Sequence, residues 1–348
     1  MREGIGMPFT IIKSDITKME TDAIVNAANS RLLAGGGVCG AIFSAAGYTE
    51  LQDACDEIGY CKTGDAVITK GFKLKAKYII HTVGPIYGED PEKEEKQLYS
   101  CYAKSLGLAK ENGLTSISFP LISSGIYGYP KAEAIKIAIS AIKDFLAENE
   151  MDIYLVIYDA GSFEISGKLF GEVRSYIEEN LTETDSECGT GLTEEKIAAD
   201  HLPEVCRNVY RARTPFTVAG VVGIEEKKSL DELIKEKNET FSEMMLRLID
   251  EKGLTDVEVY KRANIDRKLF SKMRKKDYVP KKTTVMAITI ALELDMTGAE
   301  ELLCRAGFAF SKARKLDVIV GYFIEHGIYD IFEINETLFA FGEQLLGA

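Results

Sequence analysis

From residue 7 to about 180 the chain alternates short β-branched runs with amphipathic stretches, and this rhythm restricts the fold more than any other feature. Apolar runs at 9–12, 23–25, 66–69, 78–83, 116–120 and 153–158 are too short for buried helices and rich enough in Ile and Val to be buried strands. Between them, 40–46, 94–111, 131–149 and 163–180 carry helical periodicity. Strands separated by helices call for crossover connections, so the segment predicts an α/β fold of three layers, α/β/α, with a mixed sheet covered on both faces.

From Ser229 onward the strand pattern stops. Helices are expected at 229–237, 241–252, 256–263, 266–275, 283–294, 298–306, 312–326 and 331–345, punctuated by Gly253, Pro280, Gly307 and Gly327. A smaller all-α unit over 229–348 follows. Between the two parts, residues 178–200 hold eight acids and one base, Lys196, the composition of a solvated connection. The apolar TPFTVAGVVGI within 201–228 has no assignment. The expected division is 1–180, 181–228 and 229–348.

Composition narrows the function classes. At 46% hydrophobic and 28% charged, with net charge −13, the 348-residue chain suits ordinary globular domains and opposes disorder or a fibrous repeat. Fifty-five acids against 42 bases make it, taken whole, a poor partner for nucleic acid or anionic lipid. Seven cysteines without a C-x-x-C pair imply reduced thiols and a cytoplasmic setting rather than a disulfide framework. Cys55, Cys61 and His81 match no standard zinc spacing, so no metal is expected. No signal peptide or run of about 18 apolar residues is present, which implies no membrane partner.

The chemistry concentrates in two small-residue loops that each open a helix. Gly35, Gly36 and Gly37 precede a helix expected near Gly40, and LISSGIYGYP (121–130) follows the strand ending at Pro120. Backbone N–H groups without Cβ obstruction, backed by a helix dipole, favour phosphate, and two such loops favour a diphosphate. Neither loop matches G-x-G-x-x-G or the Walker lysine pattern, which removes the common dehydrogenase and NTPase readings. Tight turns of an α/β fold remain the bland alternative.

At these residues the sequence resembles the macrodomain, an ADP-ribose-binding α/β/α module. The ordered blocks are SDITKMETDAIVNAANSRLLAGGGVCGAIFSAAG, CKTGDAVIT, KYIIHTVGP and SFPLISSGIYGYP, and they cover residues 7 to about 178. The nearest subgroup is bacterial and removes ADP-ribose from acidic side chains or deacetylates O-acetyl-ADP-ribose. The resemblance implies that Asp15 accepts a hydrogen bond from adenine with the Ile16 amide nearby, while Tyr158 stacks on the base. It implies that Gly35, Gly36, Gly37 and Val38, with Ser123, Ser124, Gly125 and Ile126, cradle the diphosphate. Asn29 and Tyr127 fall to the distal ribose and to catalysis. No cofactor is implied, and the partner is ADP-ribose or an ADP-ribosylated substrate. A helix N-cap is the alternative for Asp15 and a core or edge aromatic for Tyr158; Asn26 and His81 read as structural.

One departure bears on activity. The family's hydrolases carry an aspartate after the loop valine, and here that position is Cys39; four residues on, where they often carry histidine, stands Phe43. A cysteine lacks the two acceptor oxygens of a carboxylate and acts only as a thiolate. Cys39 therefore reads as a small neutral wall residue, leaving a slow hydrolase or a tight reader of ADP-ribose.

The helical part holds a local exception to the acidic average. Residues 261–282 contain ten bases and two acids, a sum of +8 that leaves −21 elsewhere. The surrounding frame resembles the lambda-repressor-like helix-turn-helix over about 55 residues. That resemblance places Arg267, Lys268, Lys272, Arg274 and Lys275 on or beside a recognition helix, against DNA or RNA. A solvated helix face, or docking onto an acidic protein or this chain's own acidic linker, are the alternatives. The last two helices, with Phe332, Leu338, Phe339 and Phe341, read as core or oligomer surface.

Overall fold

The computed structural model describes residues 8–88, 90–158, 167–181 and 239–347. Six strands, β1 (Phe9–Lys13), β2 (Ala23–Ala27), β3 (Ala66–Lys70), β4 (Tyr78–Thr82), β5 (Ser116–Pro120) and β6 (Asp152–Ile157), form one sheet in the order β1-β6-β5-β2-β4-β3. All neighbours are parallel except β3, which runs antiparallel to β4. This is the mixed sheet that the alternating pattern predicts, and every expected strand lies within two residues of its observed bounds.

Helices cover both faces because β2, β4 and β5 are buried along nearly their whole length. On one face α1 (Gly37–Ala46) and α2 (Tyr48–Ile58) pack Ile42, Phe43, Leu51 and Cys55 onto Ile24 and Ile79. On the other, α3 (Pro91–Glu111), α4 (Lys131–Glu148) and α5 (Gly167–Asn180) bring Tyr102, Ile135, Ile142 and Val173 onto Val25, Ile117 and Ile153. Two details differ from expectation. Helix α1 starts at Gly37 rather than Gly40, with Gly37 itself at φ +60. Helix α2 has no counterpart among the expected elements; it is short, and Gly47 and Gly59, both at positive φ, close its ends.

The remaining described helices are α6 (Phe241–Glu251), α7 (Asp256–Arg262), α8 (Arg267–Met273), α9 (Lys282–Ala291), α10 (Met296–Arg305), α11 (Lys315–Glu325) and α12 (Ile331–Ala340). Capping boxes at Thr240/Glu243 and Thr255/Glu258 start α6 and α7, and Asp266 caps α8. Helix α9 is buried from Thr283 to Ala291 and forms the axis of this bundle. The expected helix at 229–237, the acidic stretch beyond Leu181 and the apolar segment in 201–228 lie outside the described residues.

The helices do not stand apart from the sheet. Strand β1 is an edge, and its open side is covered by the turn between α7 and α8. Asn264, 1% exposed and at φ +51, accepts from the Phe9 N–H at 3.0 Å and donates to the Phe9 carbonyl at 2.8 Å. One side-chain amide thus does for the edge what a paired strand would do. Phe332 of α12 packs on Phe9 with ring centroids 5.6 Å apart, and Phe341 stacks on Phe170 of α5 at 4.6 Å. Tyr176 and Tyr322 join α5 to α11 with ring centroids 5.2 Å apart. The last two helices are therefore core, and one hydrophobic cluster runs from Phe9 to Leu346.

Cys39, Cys55, Cys61 and Cys101 are buried free thiols. Among the described residues no helix is long and apolar enough to cross a membrane.

Candidate functional site

The sheet itself opens a crevice. Strands β2 and β5 are paired only at Ala23–Ile117 and Ile24–Ser118, so their carboxyl ends diverge. In parallel α/β sheets, the carboxyl ends beside such a divergence are where ligands bind. The residues singled out by sequence all emerge there: Asp15 after β1, Tyr158 after β6, the 121–130 loop after β5, and Asn29 with the glycine loop after β2. Because the strand order is β1-β6-β5-β2, these four groups stand in a row. Three inter-strand steps span about 14 Å, the reach of an extended dinucleotide-sized ligand.

At one end Asp15 caps the 3₁₀ turn Ile16–Lys18, its Oδ1 accepting from Thr17 N at 3.0 Å and Thr17 Oγ1 at 2.7 Å. The Thr17 hydroxyl holds its carboxyl below the usual range. Oδ2 sits 3.7 Å from Lys18 Nζ and keeps acceptor capacity. The capping role is thus present, and it leaves a carboxylate oxygen free for a ligand. Ile16 is buried, whereas Tyr158 is 81% exposed, which removes the core-aromatic alternative for that ring.

In the middle the two loops meet. A Cβ on Gly36 would lie 3.4 Å from Ile126 Cδ1, and one on Gly40 would lie 2.5 Å from the Gly35 carbonyl. Glycine at position 40 therefore allows the loop to fold back onto the first turn of α1. Gly36 caps α1 with no side-chain hydrogen bond, so the amides of that turn have no capping side chain. Across the crevice Ser123 adopts φ +63 and Gly128 φ +70. Gly128 N donates to Gly125 O at 3.0 Å and Tyr129 N to Ser123 O at 3.0 Å, which curls the loop tightly and leaves Ile126 81% exposed at its tip. Ser124 Oγ donates to Leu121 O at 2.8 Å and is structural. Beneath them the buried Tyr102 hydroxyl accepts from Ile122 N at 3.0 Å.

At the other end Asn29 organises its own turn: Nδ2 donates to Leu33 O at 2.6 Å, while Oδ1 accepts from Arg31 N and Leu33 N at 3.2 and 3.3 Å. Tyr127, half-buried, is held through its carbonyl, which accepts from Tyr87 N at 2.9 Å. Val38 and Cys39 follow in the first turn of α1. Cys39 is 5% exposed; its Sγ lies 3.7 Å from Asn26 Nδ2 and 3.9 Å from Leu33 O, with no carboxylate hydrogen-bonded to it among the described residues. Asn26 Nδ2 is 3.1 Å from His81 Nδ1, and His81 Nε2 is 2.9 Å from Thr69 Oγ1. Burial drives the His81 pKa down to about 4, so the ring is neutral and serves as a hydrogen-bonded core residue. Sequence reading did not place this Cys39–Asn26–His81–Thr69 chain, because its members come from α1, β2, β4 and β3.

The five basic residues assigned to a recognition helix separate. Arg274 forms the C-cap of α8 and pairs with Asp256 at 2.5 Å. Arg262 and Lys276 pair with Glu293 and Glu243, and Lys282 with Asp317. Arg267, Lys268, Lys272 and Lys275 have no ion pair among the described residues, so the +8 sum overstates the free charge.

The Macro domain family model matches residues 25–138. A macro domain-containing protein of Methanosarcina mazei is 46% identical over 180 residues, 50% of this chain and 96% of its own length. An O-acetyl-ADP-ribose deacetylase of Escherichia fergusonii is 44% identical over 165 residues, 46% of this chain and 93% of its own length. An ADP-ribose glycohydrolase of Xenopus laevis, MACROD2, is 52% identical over 147 residues, 42% of this chain and 35% of its own length. With nearly the whole of the archaeal and bacterial relatives aligned on its α/β part, the chain belongs to the macro domain family.

Proposed function

We propose that the crevice binds ADP-ribose and hydrolyses ADP-ribosyl esters, with mono-ADP-ribosylated protein or O-acetyl-ADP-ribose as substrate. The observation that carries this reading is the row of four groups across β1-β6-β5-β2. An acceptor and an exposed aromatic stand at one end, two phosphate-accepting loops in the middle, and Asn29 with Tyr127 at the other. The names of the deacetylase and glycohydrolase relatives support the reaction class. Adenine takes Asp15 Oδ2, the Ile16 amide and the Tyr158 face. The diphosphate takes the amides of Gly35–Val38 and of 123–126.

For a protein carboxylate esterified at C1″ of the distal ribose, the C1″–O bond breaks ahead of attack and the carboxylate leaves, giving an oxocarbenium-like state. A water oxygen then bonds C1″, and the water's proton passes to a ligand phosphate or solvent; in O-acetyl-ADP-ribose the water instead bonds the acetyl carbon, the acyl C–O bond breaks, acetate leaves and the ribose oxygen takes a proton. Asn29 rigidifies the turn beside the ribose and Tyr127 packs on it. Cys39 supplies no base, and loss of one positioned acid–base group costs about 10²–10⁴-fold, so turnover is slow. That same buried, carboxylate-free Cys39 favours a second reading, a non-catalytic sensor of ADP-ribose.

In either case the helical part is the targeting unit. Helices α6–α9 form the lambda-repressor-like module, with α7 and α8 as its helix-turn-helix. Arg267, Lys268, Lys272 and Lys275 offer contacts to nucleic acid or an acidic partner, and residues 1–180, 181–228 and 229–348 are the binding unit, linker and targeting unit of a cytoplasmic bacterial protein.

Calorimetry with ADP-ribose on the wild type and Asp15→Ala, paired with release from an ADP-ribosylated glutamate substrate, tests both readings. Binding weakened at least about tenfold by the variant, slow release, and faster release in Cys39→Asp are expected. Equal binding by both proteins overturns the adenine assignment; binding without release above buffer selects the sensor.

A further inference from the structure

A further loop stands at the carboxyl ends of the strands and takes no part in holding ADP-ribose. Residues 84–88 leave β4 and reach the 121–130 loop of β5, passing the end of β2, which lies between those two strands. Gly84 comes so close that a Cβ there would collide with Ser123 Oγ. Tyr87 N donates to the Tyr127 carbonyl at 2.9 Å, and the Tyr87 ring meets the Tyr129 ring edge-on, with centroids 5.0 Å apart. The loop therefore borders Tyr127.

A buried carboxylate braces this loop from behind. Glu94 of α3 is 3% exposed; its Oε1 accepts from Asp90 N at 2.8 Å and Gly88 N at 3.1 Å, and its Oε2 from Gly88 N at 3.0 Å. Burying a carboxylate is costly unless hydrogen bonds meet it, and here they are spent on fixing loop backbone. What the fixed backbone presents to solvent is apolar: Ile86 is 63% and Tyr87 40% exposed. Leu33, 45% exposed, stands on the Asn29 turn at the same end of the crevice. Large apolar side chains held rigidly in water beside a ligand crevice mark a contact surface.

We propose that the 84–88 loop is the docking rim for a polypeptide that carries the ADP-ribose, with a preference for an apolar side chain next to the modified carboxylate. The rim rests on the crevice reading given above, in which Tyr127 packs on the distal ribose. The bond from that ribose to its polypeptide then leaves the crevice beside Tyr127, and the polypeptide continues over Ile86 and Tyr87. ADP-ribose itself ends in a polar ribose, and an acetyl group is too small to cover both side chains. A polypeptide is the occupant that spans crevice and rim together.

The test is calorimetry on the full chain with three probes: free ADP-ribose, and two peptides that carry ADP-ribose on glutamine, an amide analogue of the glutamate ester that resists cleavage. The peptides differ only in Leu or Ser beside the modified residue. Ile86→Ser and Ile86→Ser/Tyr87→Ser remove the apolar surface, while the loop's hydrogen bonds, made by its backbone, remain. The Leu peptide should bind the wild type at least about tenfold more tightly than the Ser peptide. That advantage should shrink in the single variant and vanish in the double one, with free ADP-ribose affinity unchanged within about twofold. Equal binding of the two peptides by the wild type, an advantage that survives the double variant, or a matching loss of free ADP-ribose affinity overturns the rim and leaves the crevice reading standing. Absence of binding by free ADP-ribose overturns both.

Discussion

Replacing Asn264 by glycine isolates the clamp that joins the helices to the sheet edge. Glycine adopts φ +51 freely, so the substitution removes the two hydrogen bonds to Phe9 without adding backbone strain. Both Phe9 groups lie in a buried seam, at 3.0 and 2.8 Å from the Asn264 amide. A buried backbone group left without a partner costs roughly 1–3 kcal/mol, so the pair costs roughly 2–6 kcal/mol, toward the low end where water enters. Urea denaturation followed by far-ultraviolet circular dichroism reads the loss, and hydrogen exchange at the Phe9 amide reports whether it arises at the edge. Asn264→Asp keeps the acceptor for Phe9 N–H but sets a carboxylate oxygen against the Phe9 carbonyl, and should lose at least as much. A glycine variant within about 0.5 kcal/mol of wild type, with the Phe9 amide still protected, refutes the argument, because that spread is what a surface change gives.

Two further outcomes follow from the crevice. Burial pushes the His81 pKa from its ordinary 6.5 down to about 4, so between those values the unfolded chain binds more protons and stability falls as pH drops. By pH 5 the loss is about 2 kcal/mol relative to pH 7, and His81→Gln should flatten that slope in urea titrations at the two pH values. In Gly40→Ala the new methyl would sit 2.5 Å from the Gly35 carbonyl. The phosphate loop must shift, and ADP-ribose affinity measured by calorimetry should fall at least about tenfold while thermal unfolding changes little, since shifts of this kind act on ligand geometry.

The local patterns were legible because their physics is local. Strand positions followed from β-branched runs bounded by turns, and the two small-residue loops of the crevice from glycines at a strand-to-helix passage. Helix α2 was missed because an 11-residue segment between two glycines carries a weak periodic signal. The sum of +8 over 261–282 overstates the free charge because charge counts along a sequence do not see Asp256, Glu293 or Asp317, which fold back to pair with it.

The sequence by itself determined a mixed α/β sheet followed by a helical unit, and where the small-residue loops leave the strands, since hydrophobic period and glycine placement act over a few residues. Only the tertiary structure decided that the two units share one core and that the divergence of β2 from β5 opens the crevice. It also decided that Asn264 completes the β1 edge 255 residues away. Those depend on contacts between distant segments, and burial against a partner, rather than residue type, sets whether a polar group is spent or available.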